Sequence, residues 1–547
     1  MTVEPFIPAE RLKSLTDNGY WRDELLMDYF EQHVKNKPNE IFITGFNSAI
    51  QSHYSLSFRQ MQLRVNRIAI GLAQHGVEKG DVVSFQLPNW WQFVAIHFAC
   101  LKIGAISNPV MPIFRHNEIT FMLGFAESKV MIVPKQFRNF DYPQMMQELR
   151  TDLPKLEHVF VIDGEGETSF ENTFLNRRWE DEIDADKLFQ ERLIKPNDVI
   201  EIIYTSGTTG QPKGVMHTSN TLVGMPKAIT DLVELKGEQI YLMASPLAHQ
   251  TGVLMGILLP TVTGSKVVLQ DIWDAETAYQ LIQDEGVTYT MASTPFLADL
   301  ISCPNREKYD LSHFKYFLSG GAPIPRAQVH KAKELLGANI VSVWGMSETG
   351  GTTYTPPSAA DEKVYETDGK PLAGMEVRIL GPEGEVLPYN TEGRLQCKGP
   401  FLFAGYLKRP EANDIDSDGW FETGDNARLD EDGYIRITGR SKDIIIRGAE
   451  NIPVVEVENA LYKHPDIEDV AVVAMPDERL GERACAIVQL NKDSNFNLDD
   501  LKEHLNNIHF TKTYWPERVE VLSEFPRTPS GKIQKFKLRE MAKNWQA

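Results

Sequence analysis

The stretch that most constrains this chain is Tyr204-Thr205-Ser206-Gly207-Thr208-Thr209-Gly210-Gln211-Pro212-Lys213-Gly214. Ile202 and Ile203 lead into it with Tyr204, which reads as the end of a buried strand. Four hydroxyl side chains and two glycines follow within six residues, from Thr205 to Gly210, and Lys213 closes the run. Glycine lets a backbone turn with its N–H groups pointing inward, and Ser/Thr hydroxyls add donors. Such a concavity, with one mobile ammonium beside it, suits an anion carrying several oxygens, such as a polyphosphate. The run is not a Walker A loop, because no Gly-Lys-Ser/Thr follows a glycine at the required distance. A polar surface loop is the plainer alternative. The strand in front and Lys213-Gly214 behind favour the anion loop.

The formal net charge of −20 argues against non-specific binding to nucleic acid or anionic lipid. A polyanionic ligand therefore needs a locally positive pocket. Cys100, Cys303, Cys397 and Cys485 are scattered without CxxC spacing, which argues against a disulfide framework or a zinc site and points to a reducing cytoplasm. The first residues lack a basic region followed by an apolar run, so no signal peptide is expected. No span of about 18 uncharged apolar residues is present to serve as a transmembrane segment.

At 547 residues the chain has length for several structural units. An amphipathic pattern at Leu25, Tyr29, Phe30 and Val34 predicts a helix on the main body. Asp81 to Leu87 reads as a strand, followed by a helix with Asn89 as its N-cap and Gly104 as its stop. Further buried strands are expected near 105–110, 129–133, 266–269, 288–292, 316–318 and 340–343, and the alternation of apolar runs with helical patterns predicts an α/β sheet with a substantial parallel part. The acidic stretch 163–184 reads as a solvated insertion. From Glu376 onward, short strands and Gly-marked turns suggest a small β-rich subdomain. A division at Ser441-Lys442 opens a last unit with its own strands and helices. The expected architecture is thus a large N-terminal domain (1–440) of packed α/β subdomains plus a smaller α+β C-terminal domain (441–547).

Two predicted strands end in small or polar residues, Ser319-Gly320-Gly321-Ala322-Pro323 and Trp344-Gly345-Met346-Ser347-Glu348. Ligands of doubly wound sheets lie beyond the carboxyl ends of strands, so these two ends and the Thr205 loop should converge.

Together with Phe421-Glu-Thr-Gly-Asp425, Gly439-Arg440-Ser-Lys442-Asp443 and Pro526-Arg-Thr-Pro-Ser-Gly-Lys532, these motifs resemble those of the adenylate-forming acyl-CoA synthetases. That superfamily also includes luciferase and the adenylation domains of peptide synthetases. The resemblance spans roughly residues 25–540. Within the family, Gly448-Ala449-Glu450 with its following residues to Glu456, and Gly19-Tyr-Trp-Arg-Asp23, look most like bacterial ligases for short- or medium-chain fatty acids and alicyclic acids.

The resemblance implies that ATP, Mg2+ and coenzyme A are used to convert a carboxylic acid to an acyl-adenylate and then to acyl-CoA. It implies that Thr205, Ser206, Gly207, Thr208, Thr209 and Gly210 grip the phosphates with Lys213 adding charge. Gly320, Gly321, Ala322 and Pro323 would wall the adenine, next to the motif Trp344, Gly345, Met346 and Ser347. Glu348 is the implied metal ligand, Asp425 the ribose acceptor, and Arg440 a reach toward ribose or phosphates. Lys532 resembles the catalytic lysine that bridges the α-phosphate and the attacking carboxylate, and Lys442 occupies the hinge of a mobile C-terminal domain. His249, Gly252 and Val253, with Trp344 and Gly345, would border the acyl group, Trp344 limiting its depth. Gly448, Ala449 and Glu450 would lie beside the pantetheine tunnel. Ala449 stands where relatives commonly carry a second glycine, and Ser219 where a histidine is frequent. Transfer to a carrier-protein thiol in trans is the nearest alternative, and a non-catalytic nucleotide-binding relative is an alternative of another class. The expected partners are a small carboxylic acid, ATP and CoA, with self-association left open.

Overall fold

The computed structural model describes residues 3–205, 212–235, 238–321, 324, 326–440, 445–447, 450–477, 481–492, 494–508, 510, 512–528 and 531–545. Two large sheets carry the N-terminal part. The six-stranded sheet runs in the order Lys213–Thr218, Val199–Thr205, Ile106–Pro109, Val82–Phe85, Val130–Pro134, His158–Ile162. Its pairs are parallel except the first, which is an antiparallel hairpin. The nine-stranded sheet is parallel through Asn339–Met346, Tyr316–Gly320, Tyr289–Ala292, Ile240–Met243, Lys266–Gln270 and Ile41–Asn47, with antiparallel strands added at both ends. Strands buried on both faces read as continuous apolar runs, which is why the sequence showed them so plainly.

One core cluster reaches across both sheets. The helix Trp91–Ile103 shows why: nearly all its residues are buried, as expected of a helix apolar all round. Gly104 ends it at φ 69°, a left-handed turn that glycine adopts without strain. Asn89, expected to cap this helix, does something else. Its amide nitrogen donates to the carbonyl oxygens of Ser245 (2.9 Å) and Gln270 (3.1 Å), and its Oδ1 accepts from the Leu247 N–H (2.8 Å). Asn89 therefore stitches the six-stranded unit to strand ends of the nine-stranded one. The stretch 163–184 also departs from expectation. Phe170, Phe174 and Trp179 are buried, and Glu180 pairs with Arg67 at 2.5 Å, so three aromatic anchors outweigh the acidic composition.

The β-rich part is a four-stranded antiparallel sheet, Glu376–Leu380, Gly393–Lys398, Phe421–Leu429 and Ile435–Arg440. Beyond it, Ile445–Arg447, Glu450–Ile452, Ile467–Asp477, Gly481–Leu490 and Arg518–Val521 form a separate five-stranded sheet with its own core. No helix among the described residues is long and apolar enough to cross a membrane. All four cysteines are free and buried.

Glu201 is the outlier of the six-stranded sheet. It lies mid-strand, fully buried, with Ser107 and His217 as its cross-strand neighbours. Neither carboxyl oxygen has a hydrogen-bond partner, and burial pushes its pKa up to about 8 from an ordinary 4.5. The folded state thus holds a proton that the unfolded chain releases. Stability is greatest below the unfolded pKa and falls by about 1.4 kcal/mol per unit as pH rises toward the folded one. Glu201→Gln keeps the shape without the ionisation. It is expected to flatten this slope and to gain about 3 kcal/mol near pH 7. Urea unfolding of both proteins from pH 5 to 9 checks this, and parallel pH profiles would contradict it.

Candidate active site

The anion-loop segment joins the two arms of the hairpin: Thr205 ends one strand, Lys213 begins the other, and the two are paired Cα partners. Ser206, Gly207, Thr208, Thr209 and Gly210 lie outside the described residues. Residues 404–407 run along the outer edge of the Lys213–Thr218 strand. Ala404 N–H donates to the Met216 carbonyl (2.8 Å), Met216 N–H to Gly405 (3.0 Å), and Leu407 N–H to Gly214 (2.8 Å). This pairing delivers the Tyr406 ring under the Lys213 ammonium, 4.4 Å from its centroid.

Tyr406 links the loop to the next strand end. Its hydroxyl donates to Glu348 Oε1 at 2.6 Å. The Phe403 N–H donates to the Glu348 carbonyl at 2.7 Å, and the neutral ring of His217 meets the Ser347 carbonyl at 2.8 Å. Burial drives the His217 pKa down to about 4. Glu348 is only 5% exposed, and desolvation raises its pKa against the opposing pull of Tyr406, Lys213 and Arg440. Met346 N–H donates to the Thr349 hydroxyl (3.3 Å), closing the turn after Ser347.

Asp425 stands on the strand Phe421–Leu429, directly across from Arg440. Its Oδ1 meets Arg440 Nε at 3.1 Å, and its Oδ2 accepts from the Trp344 indole at 2.9 Å. Each carboxylate oxygen has a second lone pair, so both retain acceptor capacity. The indole of Trp344, expected to limit acyl depth, is thus committed at its polar edge to Asp425. A side chain at Gly345 would meet the Gly350 carbonyl at 1.9 Å, so only glycine fits there. Gly320 ends its strand close against the Val343 carbonyl, and Gly321 follows at φ 79°. Ala322 and Pro323 lie outside the described residues.

On the other side, His249 precedes a short helix, Gln250–Gly252, and its ring accepts from the Thr251 N–H at 3.3 Å. Burial, aided by the Lys532 charge, lowers its pKa to about 4, so the ring is neutral at pH 7. Gly252 and Val253 are buried, and a side chain at Gly252 would strike the Pro246 carbonyl at 2.1 Å. Lys532 reaches this region from the C-terminal sheet's own unit, on a turn where a side chain added at Gly531 would lie 3.3 Å from Pro295 and 3.4 Å from the Ser293 hydroxyl.

Residues 30–407 match the AMP-binding enzyme family, and residues 456–532 match the C-terminal domain of AMP-binding enzymes. The chain belongs to the AMP-binding enzymes. Over 545 residues it is 34% identical to the medium-chain fatty-acid–CoA ligase of Escherichia coli, covering 99% of this chain and 94% of that protein. It is 31% identical to the 2,3-dihydroxybenzoate-AMP ligase of Bacillus subtilis over 97% of this chain and 96% of the other. The fold is shared with the anthranilate CoA ligase AuaEII crystallised with anthranoyl-AMP, at a TM-score of 0.83 over 95% and 98% of the two chains and 22% identity. This AMP-binding enzyme is an AMP-forming acyl-CoA synthetase that uses ATP, Mg2+ and CoA.

The donor set near the loop suits the metal of such an enzyme. Glu348 offers a desolvated carboxylate with oxygen lone pairs beyond the one Tyr406 fills, and Mg2+ takes one or two carboxylates while keeping water and phosphate in its shell. Of the residues assigned to the second half-reaction, Lys442, Gly448 and Ala449 lie outside the described residues. Glu450 opens the strand Glu450–Ile452, paired with Arg447, which itself pairs with Glu517 at 2.5 Å. Sequence reading missed Tyr406 and His217. The signal for Tyr406 was present in Phe401-Leu-Phe-Ala-Gly-Tyr406, an apolar run ending in Gly405 at φ 100°. No local signal marks His217, whose partner is 130 residues away.

Proposed function

We propose that this enzyme activates an apolar short- or medium-chain aliphatic or alicyclic acid and passes it to CoA, within the AMP-forming acid–CoA ligase chemistry of its family. The observation that carries this reading is the stretch 249–258. It is buried or half-buried, contains Val253, Leu254, Met255, Ile257 and Leu258, and bears no charged group once His249 is neutral. Gly256 is closed against Leu247 and Met243, which favours a compact group over a long chain. The full-length similarity to a medium-chain fatty-acid–CoA ligase supports the same class.

In the first step a carboxylate oxygen attacks the α-phosphorus and the bond to pyrophosphate breaks. The loop from Thr205 to Lys213 would hold the departing phosphates, Glu348 would bind the Mg2+ that neutralises their charge, and Asp425 with Arg440 would fix the ribose. Lys532 would sit between the carboxylate and the α-phosphate, an electrostatic role of the kind that dominates such transfers. In the second step the CoA thiol attacks the acyl carbonyl, AMP leaves, and the thiol proton is lost. We place the division between the main body (1–440) and the mobile unit (441–547) at Lys442, with Gly448, Ala449 and Glu450 facing CoA after the unit turns.

A pyrophosphate-release screen over linear C2–C16, alicyclic, aromatic and steroid-like acids tests the reading. The highest kcat/KM is expected for medium-chain or cyclohexane-type acids. Similarity to an aryl-acid–AMP ligase favours the competing outcome, in which a hydroxybenzoate leads by tenfold or more and the aliphatic reading falls. Running CoA beside a carrier-protein acceptor decides the thiol.

A further inference from the structure

The N-terminal arm makes contacts that the proposed chemistry does not use. The helix Ala9–Asp17 lies outside the sheets, yet its Arg11 points inward. Arg11 Nη1 donates to the Phe403 carbonyl at 3.0 Å, and Nη2 donates to the Leu402 carbonyl. The guanidinium lies over the Trp21 ring at 5.4 Å, and the Trp21 indole in turn donates to the Pro400 carbonyl at 3.0 Å. On the near side of the helix the Phe6 N–H donates to the Ala404 carbonyl at 2.6 Å. Burial lowers the Arg11 pKa to about 10, which leaves it charged at neutral pH. Four consecutive-to-neighbouring carbonyls, at residues 400, 402, 403 and 404, are therefore held by one arm.

That segment is the one that reaches the site. The Phe403 N–H holds the Glu348 carbonyl, and three residues on, Tyr406 holds the Glu348 carboxylate. Because a peptide unit is planar, fixing the 402–403 carbonyls fixes the direction of the N–H groups that follow them. A guanidinium is suited to this because its donors form a rigid fork, and a buried charged hydrogen bond is stronger than a neutral one.

We propose that the N-terminal arm is a positioning strap for the metal-binding carboxylate: Arg11, backed by Trp21, sets the 402–406 segment and through it the orientation of Glu348. The proposal rests on the reading of Glu348 as the Mg2+ ligand. Arg11 is a positioning residue, since it touches neither substrate nor metal.

The test uses full-length protein with Mn2+ in place of Mg2+ and ATP present, free Mn2+ being counted by electron paramagnetic resonance with no acid added. Arg11→Met keeps the apolar stem against Trp21 and removes the fork. It is expected to weaken Mn2+ binding by about fivefold to tenfold, the equivalent of about one ordinary hydrogen bond passed on to the site. Arg11→Lys, with fewer and less rigid donors, should recover part of that loss. Trp21→Phe, which gives up the bond to Pro400 and part of the ring under Arg11, should show the same effect at about twofold to threefold and carries the test where Arg11→Met does not fold. Release of CoA ester from preformed octanoyl-AMP should change less than twofold in every variant. A fall in melting temperature with Mn2+ binding unchanged would reduce the arm to a structural clip and overturn the proposal. Unchanged Mn2+ binding in Glu348→Gln would instead overturn the reading on which it rests.

Discussion

Replacing Lys532 with alanine is expected to lower acid-dependent ATP–pyrophosphate exchange by about 10² to 10³ while sparing CoA attack on preformed acyl-adenylate. The asymmetry follows from how the residue is held. The Thr528 N–H donates to the Lys532 carbonyl at 2.7 Å, and the Lys532 N–H donates to the Thr528 hydroxyl at 3.0 Å. Gly531 takes φ 82°, which completes the turn. Both bonds are made by the backbone of residue 532, so alanine can make them too. What alanine removes is the charge that acts on His249 at the acyl side. A cation aimed at charge that develops only as the carboxylate meets the α-phosphate lowers the barrier of that step alone. Comparable losses in the two half-reactions would refute the assignment.

Glu348→Gln is expected to cost about 10² in the same exchange, or roughly 2.7 kcal/mol. It should also abolish most Mn2+ binding. The substitution is close to isosteric, and its amide oxygen can still accept from Tyr406, so the strand end keeps its shape. The negative charge is what goes. Burial raises the Glu348 pKa against the opposing pull of Tyr406, Lys213 and Arg440, and an oxygen-preferring dication is a fitting partner for such a buried carboxylate. Exchange measured across a Mg2+ titration separates the cases. A variant that reaches the wild-type rate at high Mg2+ has lost affinity only. One that never reaches it has lost transition-state charge as well, and one that matches wild type throughout would remove Glu348 from the metal site.

What the sequence displayed was contiguous chemistry and apolar strands. Thr205 and Lys213 stood out because hydroxyls, glycines and a lysine crowd one short run, and the fold makes those two residues neighbours across a hairpin. Gly345 and Glu348 lay in one short motif, and the strand Asn339–Met346 delivers that motif to the sheet end. Asn89 was misread because an Asn before a helical run is so often a cap. Its actual partners, at 245, 247 and 270, become neighbours only when the two sheets are packed. Acidic composition hid the anchoring of Phe170, Phe174 and Trp179 for a similar reason: charge per residue does not say which few aromatics are buried. Tyr406 and Arg11 escaped because a positioning bond is made between distant segments, and spacing along the chain carries no trace of it.

The burial of Cys100, Cys303, Cys397 and Cys485 bears on how such an enzyme lives with its own product. A thioester can be intercepted by any nearby thiolate, and a free coenzyme thiol can be captured in a mixed disulfide. Burial raises the pKa of Cys100 and Cys397 far above neutrality and that of Cys485 to about 12, so neither reaction finds a nucleophile on those three residues. In the folded catalyst those three thiols are thereby withheld from acylation by its own product and from disulfide exchange with free coenzyme A.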